Sequence, residues 1–283
     1  MSKIIVGYDG GPEAADALQL GGMLTQVTGA ELIVAYALAP ALEFETSVAD
    51  LFASVFDRAR AELPNRDFAM RELRDVSAPA GLADVAATEE ADLIVVGSTH
   101  RGMLGRTFPG SVGERLLSRA QCPVMVAPRD FARHEHFGVG LVGVAVDASD
   151  ESEVALRVAA ELAARLDARL RVITIVPPPE GDGADVMEVV LHDRGRDIQR
   201  RAELELPASL EVEFSLEDGD PPHALARHGV ELDLLVIGSR GHGPLRRTLL
   251  GGVSAEVMRA APCPVLAVPR TAALSHDAGS AAR

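Results

Sequence analysis

The stretch that decides the reading is Gly238-Ser239-Arg240-Gly241-His242-Gly243-Pro244, followed by Gly251-Gly252-Val253-Ser254 and closed by Cys263-Pro264-Val265-Leu266-Ala267-Val268. It occurs twice. Gly97–Arg129 aligns without gaps on Gly238–Arg270, 141 residues further on, with 14 identities in 33 positions, where unrelated segments of ordinary composition share roughly two. Similarity on that scale marks a duplication. The opening strands repeat as well, Ile4-Ile5-Val6-Gly7-Tyr8-Asp9 against Val142-Gly143-Val144-Ala145-Val146-Asp147. Working outward, the chain divides into a first domain over 1–130, a linker over 131–140, a second domain over 141–270 and a flexible tail over 271–283.

Within the first copy, short β-branched runs alternate with helical stretches. Strands are expected at Lys3–Tyr8, Glu31–Ala37, Asp67–Arg74, Asp92–Gly97 and Val124–Ala127, and helices at Pro12–Thr28, Glu43–Leu63, Pro79–Glu89 and Gly110–Arg119. Uniformly apolar strands alternating with helices are the pattern of a parallel sheet covered on both faces by right-handed crossovers. The expected fold is therefore α/β, as two tandem doubly wound five-stranded parallel sheets of Rossmann-like type. In such sheets ligands bind beyond the carboxyl ends of the strands, where the strand order reverses. That directs attention to the loops after the first and fourth strands of each copy.

Composition removes several classes of function. The formal net charge of -15 repels polyanions at long range, which argues against nucleic-acid binding. Lys3 is the only lysine and lies inside a strand pattern, so neither a Walker A turn nor Schiff-base chemistry is available. No apolar run approaches the ~20 residues that a bilayer needs, so no membrane span is expected. The N-terminus reaches Asp9 before any signal-like apolar region develops, which makes the cytoplasm the expected compartment. The two cysteines, Cys122 and Cys263, occupy corresponding positions in the two copies and read as inert thiols before buried strands rather than as a bonded pair.

The spacing in copy two is Gly-x2-Gly-x9-Gly, formed by Gly238, Gly241 and Gly251. Glycines admit an anion close to the backbone, and the free N–H groups of a helix start hold phosphate with help from the helix dipole. Arg240, Arg246, Arg247 and Arg259 stand against Glu256 in this region, and Arg101, Arg106, Arg115 and Arg119 against Glu114 in the other copy. Two basic islands in an acidic chain would focus an anion. A single glycine-rich loop reads equally well as a plain turn, but its recurrence at the same place in both copies favours phosphate.

On these residues both halves resemble universal stress protein domains, whose motif is Gly-x2-Gly-x9-Gly-Ser/Thr after the fourth strand with an Asp closing the first. The resemblance implies that ATP, with or without Mg2+, is held at those loops. Carried over, Asp9, Gly10 and Asp147 would contact the nucleotide, and strand-two backbone near Tyr36 and Ile175 would meet adenine. Gly238, Gly241, Gly243, Gly251, Gly252, Val253 and Ser254 would hold ribose and phosphates in copy two. Gly97, Ser98, His100, Gly110, Ser111 and Val112 would do so in copy one. There His100 stands in the second glycine slot, while copy two has Gly252 in the Ser/Thr slot with Ser254 two residues on. The resemblance also implies that the last strands meet in an interface, either within one chain or in a homodimer through those edges, with other surfaces open to dimerisation.

Other features read as structural. His134 and His136 lie in the linker without ligand partners, and His223 and His228 lie on a short helix as surface residues. The run Glu217-Asp218-Gly219-Asp220 before Pro221 reads as a turn that starts a helix. No metal site and no catalytic residue is assigned. Three classes of function remain: a regulatory protein of stress response or dormancy acting through nucleotide occupancy and an unidentified protein partner, a slow ATPase or adenylate-transferring enzyme, and a nucleotide-free interaction module.

Overall fold

The computed structural model describes residues 1–36, 48–73, 77–98, 112–117, 119–134, 138–179, 184–239 and 252–270. Contacts divide the chain into two units, Met1–His136 and Phe137–Ala272.

In the first unit β1 (Lys3–Tyr8), α1 (Pro12–Thr28), β2 (Glu31–Tyr36), α2 (Val48–Glu62) and β3 (Ala69–Glu72) lead into α3 (Ala78–Thr88), β4 (Leu93–Gly97), α4 (Val112–Leu117) and β5 (Val124–Ala127). The strands run in the order β3-β2-β1-β4-β5, and every pair is parallel. The order reverses between β1 and β4, which opens a crevice at their carboxyl ends. On the helical layers, α1 packs against β1, β4 and α2, while α3 packs against α4. With both faces covered, Ile4, Ile5, Val6, Ile94 and Val95 are fully buried, which is why these strands read as continuous apolar runs.

The second unit repeats the plan with β6 (Leu141–Ala145), α5 (Asp150–Leu166), β7 (Arg169–Val176), α6 (Ala184–Glu205), β8 (Val212–Asp218), α7 (Pro221–His228), β9 (Leu234–Gly238), α8 (Gly252–Ala260) and β10 (Val265–Val268). Its strands are ordered β10-β9-β6-β7-β8, again all parallel. The reversal falls between β9 and β6. Helix α5 starts at Ser149, whose side chain accepts a hydrogen bond from the Ser152 N–H, and carries Asp150, Glu151 and Glu153 in its first turn. Cap and charges both favour a helix beginning at that point.

The segment after β5 does more than connect. A 3-10 turn over Phe131–Arg133 buries Phe131, and the buried carboxylate of Asp16 on α1 accepts hydrogen bonds from the Asp130 N–H at 3.0 Å and the Ala132 N–H at 2.8 Å. The first residues of the stretch read as linker are thus packed into the first unit, while Arg133 and His134 are exposed as expected. The tail over 271–283 lies outside the described residues. Among the described residues no helix is long and apolar enough to cross a membrane.

Candidate functional site

The loops after β1 and β6 share one geometry. Asp9 Oδ1 accepts a hydrogen bond from the Gly11 N–H at 2.9 Å, and Asp147 Oδ1 accepts one from the Ser149 N–H at 3.0 Å. The residue in between turns through positive φ in both, +80° at Gly10 and +64° at Ala148. Unit two adds a hydroxyl, since Ser149 Oγ donates to Asp147 Oδ1 at 2.6 Å. Ser152 Oγ in turn accepts from the Asp147 N–H at 3.3 Å and donates to the Ser149 carbonyl at 2.9 Å. The Asp147 carboxylate is therefore held more firmly than a carboxylate in a two-residue turn alone.

At the ends of β4 and β9 the glycines answer first to packing. A Cβ on Gly97 would come within 2.0 Å of the Glu13 carbonyl oxygen, and one on Gly238 within 3.0 Å of Glu151. Each glycine lets the first turn of α1 or α5 lie against the strand end, which draws that helix start into the crevice. Ser254, buried in the first turn of α8, donates its hydroxyl hydrogen to the Gly238 carbonyl at 2.8 Å. That hydrogen is committed to joining α8 to β9, so what Ser254 can offer a ligand is its backbone N–H. Gly252 and Val253 open the helix and are exposed, and a Cβ on Gly252 would meet nothing within 4 Å among the described residues. The N–H groups of a first helical turn have no partner within the helix.

These features converge on a cavity of about 490 Å³ in unit two. Its floor is the strand ends Asp147, Ile173–Val176 and Gly238. Ser149 and Ser152 form one wall, Leu191, Arg194 and Ile198 of α6 a second, and Val253 and Ser254 of α8 a third. The equivalent crevice of unit one measures about 210 Å³ and is lined by Tyr8, Asp9, Glu13, Gly97, Ser98 and Val112 among others. Tyr8 donates its hydroxyl hydrogen to Glu62 Oε1 at 3.0 Å, where unit two has Val146. Burial and the Glu62 carboxylate raise the Tyr8 pKa, and burial raises that of Glu62 against the opposing effects of Tyr8 and Arg58. Arg58 of α2 also donates to the Gly10 carbonyl at 3.0 Å, directly over the β1 loop.

Of the residues singled out in the sequence, the structure brings Asp147, Ile175, Gly238, Val253 and Ser254 to one cavity, and Asp9, Gly97, Ser98 and Val112 to the other. Gly252 opens α8, and Gly10 follows Asp9 in its turn. His100, Gly110, Ser111, Gly241, Gly243 and Gly251 lie outside the described residues. Strand register refines one pairing: Tyr8 stands opposite Tyr36, and Ala145 opposite Ile173, so the counterpart of Tyr36 is Thr174, one residue before Ile175. Sequence reasoning missed Thr174 and Arg194. Thr174 is buried, and its Oγ1 has no hydrogen-bond partner among the described residues.

Burial pushes the Cys122 thiol up to about 11 and the Cys263 thiol up to about 12, so both are protonated near neutral pH. The acidic run and the histidines are partners rather than separate surface residues. His192 of α6 pairs with Asp218 at 2.7 Å, His228 with Glu217 at 3.1 Å, and His223 with Asp220. The first two pairs tie α6 and α7 to the end of β8, and the third lies in the first turn of α7. Gly219, between β8 and α7, has φ +154°; the helix starts themselves match, since Ser77 at φ -106°, ψ 113° caps α3 and Asp220 at φ -75°, ψ 119° caps α7.

A doubly wound unit occurring twice, with an Asp after its first strand and a glycine-rich sequence after its fourth, defines the class. The model of the universal stress protein family matches residues 1–128 and again 140–269, and the chain belongs to that family. Universal stress protein Rv2319c of Mycobacterium tuberculosis is 27% identical over 293 residues, covering 94% of this chain and 99% of that protein. Universal stress protein Rv2005c of the same organism is 33% identical over 192 residues, a match spanning 64% of this chain and 63% of that protein's length. Among solved structures, a universal stress protein from Archaeoglobus fulgidus superposes with a TM-score of 0.64 at 22% identity, covering 95% of this chain and 96% of that one. This last likeness is one of fold.

Proposed function

We propose that unit two binds an adenine nucleotide, with ATP as the principal ligand, and that the chain works in the cytoplasm as a regulator of stress response or dormancy whose partner choice follows occupancy. The observation that carries this reading is the cavity of about 490 Å³ at the strand-order reversal, with the fixed Asp147 carboxylate on its floor and the start of α8 on one wall. Phosphate belongs at α8, where exposed N–H groups and the helix dipole favour an anion. Asp147 carries the same sign as phosphate, so it faces the nucleoside, where a carboxylate accepts hydrogen bonds from ribose hydroxyls. The apolar strand ends between them suit a base. Any Mg2+ would travel with the phosphates.

Unit one is the weaker site in this proposal, with its smaller crevice and Arg58 held against Gly10. The chain acts by binding, and its recurring carboxylates Asp9 and Asp147 serve contact rather than catalysis. The test is liquid chromatography of nucleotides released when the purified protein is heat-denatured, paired with ATP titration of the stripped protein. Adenine nucleotide approaching one per chain supports the proposal. No released nucleotide together with no ATP binding overturns it.

A further inference from the structure

We propose that Arg194 and Thr174 form the end of the unit-two cavity that recognises the base of a purine nucleotide, with the guanidinium stacking on the ring and the hydroxyl hydrogen-bonding to its edge. The proposal rests on the nucleotide reading above and assigns two side chains that the glycine-rich motif does not contain.

Among the described residues, the charged ones lining the cavity are Asp147 and Arg194. Asp147 is engaged by Ser149. On α6, Arg196 pairs with Asp193 at 2.8 Å and Arg200 with Asp197 at 2.7 Å, while Arg201 does not line the cavity. Arg194 has no ion-pair or hydrogen-bond partner among the described residues, and in unit one Arg58 of α2 is instead bound to the Gly10 carbonyl. A cation at a cavity wall with no carboxylate paired to it among the described residues is available to a ligand.

Position decides which part of the ligand it meets. Helix α6 packs on β7 and β8, whereas α8 follows β9 and packs on α7 and β10. Strands β7 and β9 flank β6, so they stand two strand spacings apart, about 10 Å. A nucleotide with its phosphates on α8 would reach the β7 side with its base. There the wall is Ile173, Ile175, Val176, Leu191 and Ile198, an apolar slot in which a planar ring loses water readily and a guanidinium over its face gains from cation–π attraction.

Thr174 is an independent pointer to the same end. A buried hydroxyl without a partner is costly in the free protein, and such groups in native structures call for an explanation. Thr174 lines this cavity, and its Oγ1 is the buried side-chain polar atom without a partner there among the described residues. A hydrogen bond to the ring edge satisfies it.

The experiment measures binding of ATP, adenosine and inorganic tripolyphosphate to wild-type full-length chain and to Arg194→Ala, Arg194→Lys and Thr174→Val, with thermal melts of each ligand-free protein. Arg194→Ala should weaken ATP and adenosine by the same factor, about five- to tenfold, and leave tripolyphosphate unchanged. Lysine should restore only part, because it lacks the planar group. Thr174→Val should weaken both nucleosides yet melt at or above the wild-type temperature without ligand, a combination that a purely structural threonine would not give. Unchanged ATP affinity in Arg194→Ala overturns the proposal, as does a loss shared with tripolyphosphate but not adenosine, which would make Arg194 a phosphate ligand. Adenosine that fails to bind wild-type protein while ATP binds also overturns it and leaves the nucleotide reading standing. A wild-type chain that binds none of the three takes both down.

Discussion

Ser149 grips the Asp147 carboxylate twice, through its N–H at 3.0 Å and its hydroxyl at 2.6 Å, while the same hydroxyl oxygen accepts from the Ser152 N–H at 3.1 Å. One side chain thus starts α5 and orients the acid that faces the cavity. Ser149→Ala is expected to cost about 1 kcal/mol of stability, the usual loss for an N-cap serine, and to weaken ATP binding by freeing Asp147 to rotate. Asp147→Ala should weaken ATP further while costing less stability, because the Ser149 cap of α5 remains. Chemical denaturation and titration of both variants check this; Ser149→Ala with unaltered stability would show that the cap contributes little.

Between those residues Ala148 sits at φ +64°, where the first unit has Gly10 at +80°. A Cβ in the left-handed region costs roughly 1–2 kcal/mol, partly offset by the greater freedom of glycine in the unfolded chain. Ala148→Gly is therefore expected to stabilise the protein by about 1 kcal/mol, read as a raised denaturation midpoint at unchanged denaturant sensitivity. A lowered midpoint would contradict this.

Burial holds the Cys122 thiol at about 11 and the Cys263 thiol at about 12, against ~8.5 in an unfolded chain. Both folded-state values are raised, so the stability they confer is complete below about pH 8.5 and is lost as pH rises through the folded-state values. Between pH 8.5 and about 11 the unfolded chain has released protons that the folded chain keeps, and stability falls with increasing pH. Replacing both cysteines by alanine should flatten that alkaline slope. A slope equally steep in the double variant would show that other groups, such as Tyr8, dominate it.

How much of this was legible in the sequence depends on what each residue needs to be recognised. Lys3–Tyr8, Pro12–Thr28 and Val124–Ala127 appear where their apolar runs and Pro12 place them, because buried parallel strands leave a local signature. Edge strand β3 is shorter than the expected Asp67–Arg74, at Ala69–Glu72, since a strand with one neighbour and a half-exposed face carries a weaker pattern. Asp147 and Gly238 were found because the duplication repeats them, although contact with Glu151 is what demands a glycine at 238. Arg194 was invisible among the alternating charges of α6, where only geometry shows which cation lines the cavity. Thr174 was missed by one residue, since successive strand residues face opposite sides and only the β6–β7 register fixes which one matches Tyr36.

The central claim, that unit two holds nucleotide phosphates at the start of α8, is tested most directly by calorimetric titration of ATP into nucleotide-stripped wild-type and Gly252→Val protein. A side chain at 252 meets no described residue within 4 Å, so folding and melting temperature should stay close to wild type. Intrusion on the phosphates, with loss of a charge-assisted hydrogen bond of ~1.5–3 kcal/mol, should weaken binding at least tenfold. The account predicts one strong site in wild type that is lost in folded Gly252→Val. Wild-type affinity in the folded variant would contradict it.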